Sequence, residues 1–362
     1  MTRLSKRIAG LIEAAEPLPI SQYMAICLFD PEAGYYTTRE PFGRSGDFIT
    51  APEVSQMFGE LVAVWLRIAW EAVGRPSQVT FAEIGPGRGT LMKDVLRTLA
   101  QLDPALMARA DFAMIEASAR LAGIQKKTLH GTSARINWHE TVDTLPESSL
   151  IIVGNELFDA IPIRQFVKSE GSWRERAVGL DHAGGLTFVA TAGAADTALL
   201  PNDSQTAPEG AIVEFAPART ALMETIAARI AKNGGAGLFF DYGYAEPAIG
   251  DTLQALRKHS YEDVLANPGL ADLTAHVDFS ALGHAARRQG LKANLMNQGE
   301  FLLGMGLLER AGRLGANADE ATRERLQSEV ERLAGPDQMG TLFRALAVTP
   351  KGIALPPFGQ SD

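Results

Sequence analysis

One stretch, residues 79–90, constrains this chain more than any other. It reads Val79-Thr80-Phe81-Ala82-Glu83-Ile84-Gly85-Pro86-Gly87-Arg88-Gly89-Thr90. An apolar run up to Ile84 ends in glycines at alternate positions, and Leu91, Val95, Leu96 and Leu99 follow at helical spacing. Strand, tight turn and helix N-terminus, in that order, mark the place where open α/β sheets bind nucleotide-like ligands. The dinucleotide pattern G-x-G-x-x-G is missed at its last glycine, because position 90 is Thr. An acid, Glu83, stands in the strand just before the turn.

The repeat of strand and helix continues to residue 165. Phe112-Ala113-Met114-Ile115 is a second apolar run, and it ends in Glu116. In a doubly wound sheet that position faces a ligand's ribose, where a carboxylate can accept from both hydroxyls. Glu116 is the candidate for that role, against the plainer alternative of a solvated loop acid. Ala117 to Leu129 reads as the next helix, and Arg135 to His139 as a third strand. Ser149 to Gly154 is nearly all apolar, as expected of a strand covered on both faces. It runs into Asn155-Glu156-Leu157-Phe158-Asp159, which puts polar residues at the carboxyl edge of the sheet, on the side of the glycine turn. Carboxylates there suit a cationic acceptor, since a guanidinium presents five donors in a fixed fork. Capping of a following turn by Asn155 or Asp159 is the plainer alternative, and it stays open for Asp159. A fifth strand, Leu238-Phe239-Phe240, repeats the pattern by ending in Asp241-Tyr242, and a last strand spans Leu342 to Val348.

Residues 1–75 read as a helical N-terminal portion, starting with Leu4, Ile8, Leu11 and Ile12 at helical spacing. Residues 1–16 have no unbroken apolar core before a cleavage-like site, so they are expected to form a first helix and not a signal peptide. Thr50-Ala51-Pro52-Glu53 fits a capping box, with Glu53 as a cap in preference to a substrate carboxylate. The helix it opens carries Phe58, Leu61, Val62, Trp65 and Ile68 along one face. Residues 76–362 form the main domain, interrupted at 166–210 by an excursion with a β-hairpin of Trp173–Leu180 and Leu186–Ala190. Asn317 is a candidate cap for a late helix, with Glu320 three residues on.

Composition excludes more than it identifies. A net charge of −9 argues against a general nucleic-acid binder, and nothing approaches the ~18 apolar residues of a membrane span. The single cysteine, Cys27, rules out an internal disulfide and reads as a buried small apolar residue. Six histidines without H-x-x-x-H spacing give no metal site. No Ser or Cys sits in a G-x-S-x-G elbow, so nucleophilic hydrolysis lacks support.

The glycine turn with its strand acid is similar to motif I of class I S-adenosylmethionine-dependent methyltransferases. Several further stretches, taken together, resemble the MidA-like family, whose mitochondrial members are protein arginine methyltransferases acting as assembly factors of respiratory complex I. They include Gly34-Tyr35-Tyr36, Gly46-Asp47-Phe48-Ile49-Thr50-Ala51-Pro52-Glu53-Val54-Ser55, Asn155-Glu156-Leu157-Phe158-Asp159-Ala160-Ile161-Pro162 and Asp241-Tyr242-Gly243. Gly250-Asp251-Thr252-Leu253-Gln254, the run Asp272 to Phe279 and Met339-Gly340 complete the set. They span nearly the whole chain in the family's order, and the segments around Asp47 and Asn155 are far more specific than the turn. Three positions depart from the family pattern: Leu18-Pro19-Ile20 where Gly-Pro-Ile is usual, Asn297 in place of Thr, and Arg344 in place of Lys. None of the three is expected to touch the site.

The resemblance implies a doubly wound, mostly parallel, seven-stranded Rossmann-like methyltransferase sheet. It implies S-adenosyl-L-methionine held by Glu83, Gly85, Gly87, Gly89, Glu116 and Asn155. Glu156 and Asp159 would be the catalytic carboxylates, with Asp47, Phe48, Asp241 and Tyr242 lining the acceptor pocket. The implied partner is a protein substrate, a respiratory-complex subunit in the mitochondrial case, and the implied setting is a bacterial cytoplasm. Two alternatives stay open at this level: a methyltransferase acting on a small molecule, and a donor-binding assembly chaperone without turnover.

Overall fold

The structure, a computed structural model, describes residues 2–38 and 49–359. Asp47 and Phe48, expected to line the acceptor pocket, lie outside the described residues. The chain divides into two compact units, one of residues 49–157, 221–243 and 279–362, the other of residues 1–48, 158–220 and 244–278.

The first unit is built on a sheet whose main strands are β1 (Val79–Ile84), β2 (Asp111–Ile115), β3 (Arg135–His139), β4 (Ser149–Asn155), β5 (Gly235–Tyr244), β6 (Leu291–Asn297) and β7 (Phe343–Pro350). Their spatial order is β6-β7-β5-β4-β1-β2-β3. The pairs β1·β2, β2·β3, β1·β4 and β4·β5 are parallel, while β7 runs antiparallel to both β5 and β6. All six residues of β1 are buried, the state of a central strand with helices on both faces. The helix after it, Thr90–Leu102, buries Leu91, Val95, Leu96 and Leu99, the stripe read from its period, and Met92 besides. Chain order departs to one side through β1, β2 and β3 and to the other through β4 and β5. The switch point therefore falls between β1 and β4, where Ile84 pairs with Gly154 and the two strand ends stand side by side.

This is the expected α/β class, with eight strands in the sheet among the described residues where seven were expected. The eighth, Val277–Asp278, lies off the main path and is only two residues long, too short to leave a pattern in the sequence.

The second unit is antiparallel. Ser172–Leu180 pairs with Leu186–Ala194, with Arg164–Ser169 and with Leu18–Pro19, and Ile212–Phe215 extends the sheet. A separate three-stranded sheet joins Gln254–Arg257, Ser260–Glu262 and Asp272–Thr274. Its own core gathers Leu4, Ile8, Tyr23, Cys27 and Tyr35 with Val178, Leu253 and Leu273. These pairings, such as Leu18 with Val178, place the N-terminal segment with residues 158–220. The helix Gln56–Ala72 belongs instead with the large sheet. The chain thus divides differently from the boundaries 1–75 and 76–362, because strand partners far apart in sequence leave no local trace.

Two expected caps are corrected. Thr50 makes no side-chain cap bond, and residues 51–72 form a short turn, Ala51–Val54, and then the helix Gln56–Ala72 capped by Ser55. Proline is tolerated in the first turn, and the extended backbone of Ser55 ends the first helix before the second starts. Asp319, and not Asn317, caps the helix Glu320–Ala334, accepting from the Thr322 N–H at 2.9 Å.

Candidate active site at the switch point

The glycine turn leaves β1 through three residues in the left-handed region, with φ of 65° at Gly85, 51° at Gly87 and 81° at Gly89. Only glycine takes these angles without steric cost. A Cβ on Gly85 would also lie 2.8 Å from Leu157 Cδ1, so the end of β4 approaches the turn closely. The turn is closed by Gly89 N–H donating to the Pro86 carbonyl at 2.7 Å, and is tied to β2 by Gly85 N–H donating to the Ile115 carbonyl at 3.1 Å.

Two acids stand behind the turn in unlike surroundings. Glu83 is 3% exposed, and its Oε2 has no hydrogen-bond partner among the described residues. Burial pushes its carboxyl up to about 8, the negative Glu116 adds to this, and a bond from the Met92 N–H offsets part of it. Glu116 is satisfied instead. Its Oε1 accepts from the Ser118 N–H at 2.8 Å and its Oε2 from Gln125 Nε2 at 3.0 Å, though burial still raises its carboxyl above the usual range.

Gln125 is the residue that sequence reasoning missed here. Fully buried, it donates through Nε2 to the Gly87 carbonyl (2.9 Å) as well as to Glu116, and its Oε1 accepts from Trp138 Nε1 at 3.0 Å. One amide thereby fixes the turn, the acid after β2 and strand β3 relative to one another. Its trace in the sequence was a polar residue four places after the buried Leu121, on the inward face of the helix Ala119–Thr128.

At the end of β4 the backbone of Glu156 takes a φ of 50°. A non-glycine residue there costs about 1–2 kcal/mol, and such strain gathers at functional positions. The surroundings enforce it. The Glu156 N–H donates to the Phe240 carbonyl at 2.8 Å, and its Oε1 accepts from Asn155 Nδ2 (3.0 Å) and from the Ala51 N–H (3.3 Å). The segment supplying Ala51 also reaches the glycine turn, because Thr90 Oγ1 donates to Glu53 Oε1 at 2.6 Å and Arg88 Nη1 lies 3.9 Å from Glu53 Oε2. The Glu53 carboxylate thus faces the turn, where sequence reasoning had placed a helix cap.

The structure brings Glu83, the three glycines, Glu116, Asn155 and Glu156 to the carboxyl edge of one sheet. Asp241 and Tyr242 continue β5 on the same sheet but are buried in it. The Tyr242 N–H donates to Asp241 Oδ1 at 3.0 Å, and the Tyr242 ring packs on Phe343 with centroids 5.5 Å apart. Asp159 belongs to the second unit, where it is buried and its Oδ1 accepts from the Ala160 N–H at 2.9 Å. The Asp159 carbonyl is one of four, with those of Ile161, Ala275 and His276, that accept from the buried Arg219 guanidinium. Two of the departures from the family pattern meet each other, since Arg344 donates to Asn297 Oδ1 across the paired strands β6 and β7.

The residues present fit an adenosyl sulfonium donor. The glycines of the turn would let a ligand approach bare backbone, the Glu116 carboxylate has lone pairs left beyond its bonds from Ser118 and Gln125 that would suit ribose hydroxyls, and Glu83 Oε2 is buried without a partner among the described residues.

Residues 61–296 match the family described as "Putative S-adenosyl-L-methionine-dependent methyltransferase". Protein arginine methyltransferase NDUFAF7 of Danio rerio is 34% identical over 95% of this chain and 86% of its own length. The Drosophila melanogaster homologue is 34% identical over 97% and 86%, and the Homo sapiens protein 32% over 97% and 84%. Among solved structures, a COG1565 superfamily member of Burkholderia thailandensis bound to S-adenosyl-homocysteine superposes with a TM-score of 0.85, at 30% identity, over 99% of this chain and 95% of that one. The turn, the acids behind it and these likenesses agree, and the chain belongs to this family of S-adenosyl-L-methionine-dependent methyltransferases.

Proposed function

We propose that the chain methylates the guanidinium of an arginine in a protein partner, with Glu156 as the carboxylate that pairs with it. The carrying observation is Glu156 itself: a strained backbone and two donors to one carboxylate oxygen hold an acid at the edge next to the glycine turn. The names of the relatives, each a protein arginine methyltransferase, support the same acceptor. A respiratory-complex subunit as that partner and a cytoplasmic setting belong to this proposal, on the family resemblance.

The donor supplies an activated methyl group, so the protein's main work is to position and orient. Glycine-turn backbone would seat the donor, Glu116 its ribose and Asn155 the rim between donor and acceptor. Glu156 would orient one guanidinium nitrogen in line with the methyl carbon, at roughly 3–3.5 Å. As the new N–C bond forms, the S–C bond breaks and the sulfonium becomes a thioether. Free arginine holds its proton beyond a pKa of ~12, so the proton leaves during or after transfer, with Glu156 as the acceptor. Asp159, three residues on, is the candidate second carboxylate of that loop, and Asp241 and Tyr242 are secondary candidates for acceptor contacts.

The test is transfer of a labelled methyl from S-adenosyl-L-methionine into an extract of cells lacking this chain, followed by mass spectrometry. Label on arginines of a protein is the expected result. Label confined to metabolites would make it a small-molecule methyltransferase, and donor binding without label anywhere would make it a binding protein.

A further inference from the structure

Glu53 and Arg88 form a pair that the glycine turn alone does not require. Arg88 sits in the turn between two left-handed glycines and is exposed, and its guanidinium makes no hydrogen bond among the described residues. Glu53, on the short helix Ala51–Val54, is anchored through Oε1 by the Thr90 hydroxyl at 2.6 Å. That anchor leaves Oε2 facing Arg88 at 3.9 Å, close enough for attraction but beyond a hydrogen bond. A fixed carboxylate and an exposed guanidinium, held just short of closing on each other, match in charge the two ends of an α-amino-acid zwitterion. The buried, unpartnered Oε2 of Glu83 lies in the strand that feeds the same turn and is a second, independent sign that a ligand completes this region.

We propose that Glu53 and Arg88 recognise the amino-acid end of the donor, Glu53 taking its α-ammonium and Arg88 its α-carboxylate. Residues 50–55 are then part of the donor site, and one segment serves both ligands: Glu53 reads the donor while the Ala51 N–H holds the acceptor carboxylate Glu156. Thr90 acquires a use as well. Its hydroxyl orients Glu53, which a third glycine of a dinucleotide turn would not do. The proposal rests on the donor lying along the glycine turn.

The experiment compares two nucleosides on the full chain by calorimetry: S-adenosyl-homocysteine, which carries the amino-acid end, and 5′-methylthioadenosine, which lacks it. Glu53→Gln and Arg88→Met are each expected to weaken S-adenosyl-homocysteine by about tenfold or more, the scale of a lost hydrogen bond to a charged group. Affinity for 5′-methylthioadenosine should stay within about twofold, a change of a few tenths of a kcal/mol on the tenfold-per-1.4 scale. Thr90→Val should give a smaller loss with the same selectivity. Arg88 is exposed, so its variant carries the test even if Glu53→Gln folds poorly. Equal losses on both nucleosides, or unchanged binding of S-adenosyl-homocysteine, would overturn the proposal. Gly87→Val separates the underlying placement of the donor: it should weaken both nucleosides, and a folded Gly87→Val protein that binds both normally would remove the donor from the turn altogether.

Discussion

The carboxyl ends of β1 and β4 stand side by side and are built in opposite ways. At β1 the chain turns through three glycines, so the left-handed angles cost little and the turn presents bare backbone at those positions. At β4 the chain turns through Glu156, a residue that takes such an angle at a cost and is held in it by Asn155, Ala51 and Phe240. Removing side chains suits a bulky nucleoside that needs close approach; imposing one suits a small charged group that must be oriented. Donor binding at the first edge and acceptor chemistry at the second are the roles we propose from this difference, and variants with the same effect at the two edges would break it.

The largest effect is expected at the β4 edge. Glu156→Gln keeps the shape and one acceptor oxygen but loses the charge, and should lower methyl transfer by about 10²–10⁴-fold, the usual worth of a positioned acid or base. Calorimetric affinity for S-adenosyl-homocysteine should not change. A variant that turns over normally would take Glu156 out of the chemistry. Asp159→Asn is expected to cost less, about tenfold in transfer; a loss equal to that of Glu156→Gln would give the two acids one shared role.

Next comes the β1 edge. Gly87→Val places a β-branched residue at a φ of 51° and a side chain on the donor's path. Affinity for S-adenosyl-L-methionine should fall by about tenfold to a hundredfold, from a clash of about 1–3 kcal/mol between the added side chain and the donor, while the backbone strain of about 1–2 kcal/mol falls on stability instead. Circular dichroism should show a folded protein. If the loss appears only in transfer and not in affinity, the division of labour between the two edges is wrong.

The β1 edge was legible in the sequence because its signal is local. Turn, acid and helix stripe occupy neighbouring residues, and strands β1 to β4 were placed to within a residue or two at their ends. What was not legible depends on partners distant in the chain. Glu53 was read as a cap because its three nearest neighbours allowed one, whereas its actual partner, Thr90, is 37 residues away. Gln125 looked like an ordinary helix residue until Gly87 and Trp138 were brought to it. Of the second unit's main sheet, the hairpin within 166–210 is the part with a local pattern. Its sheet needs Leu18–Pro19 from the N-terminal segment, and two-residue strands carry no alternation to detect.

Gln125 offers a prediction of intermediate size that sharpens the comparison. Gln125→Leu keeps the volume but leaves the Gly87 carbonyl, a Glu116 oxygen and the Trp138 N–H each short of a partner. Stability to thermal or urea unfolding should drop by about 1–3 kcal/mol, and donor affinity by about tenfold as the turn and Glu116 lose their common anchor. Transfer at saturating donor should survive, since the three Gln125 bonds go to Gly87, Glu116 and Trp138. A fall in saturated turnover as large as that of Glu156→Gln would join the two edges into one unit.

The smallest effect is a pH dependence that belongs to the β1 edge alone. Burial lifts Glu83 from an ordinary carboxylate value of 4.5 to about 8, with Glu116 adding repulsion and the Met92 N–H opposing it. The folded chain without donor therefore keeps a proton on Glu83 that the unfolded chain has lost. Its contribution to stability is fully present below about pH 4.5 and is lost as pH rises through about 8. A donor carrying a sulfonium and an ammonium favours the charged carboxylate, so binding near pH 7 should expel the proton. Affinity should then rise with pH up to about 8 and level off, by no more than about tenfold per pH unit, the limit for a single proton. Calorimetry in two buffers of different ionisation enthalpy measures that proton directly. Glu83→Gln, close to the protonated form in shape, should fold normally at pH 7 and bind donor without the pH-dependent step. If wild type releases no proton, Glu83 stays neutral behind the turn and acts on the donor as a hydrogen-bonding group instead of a charge.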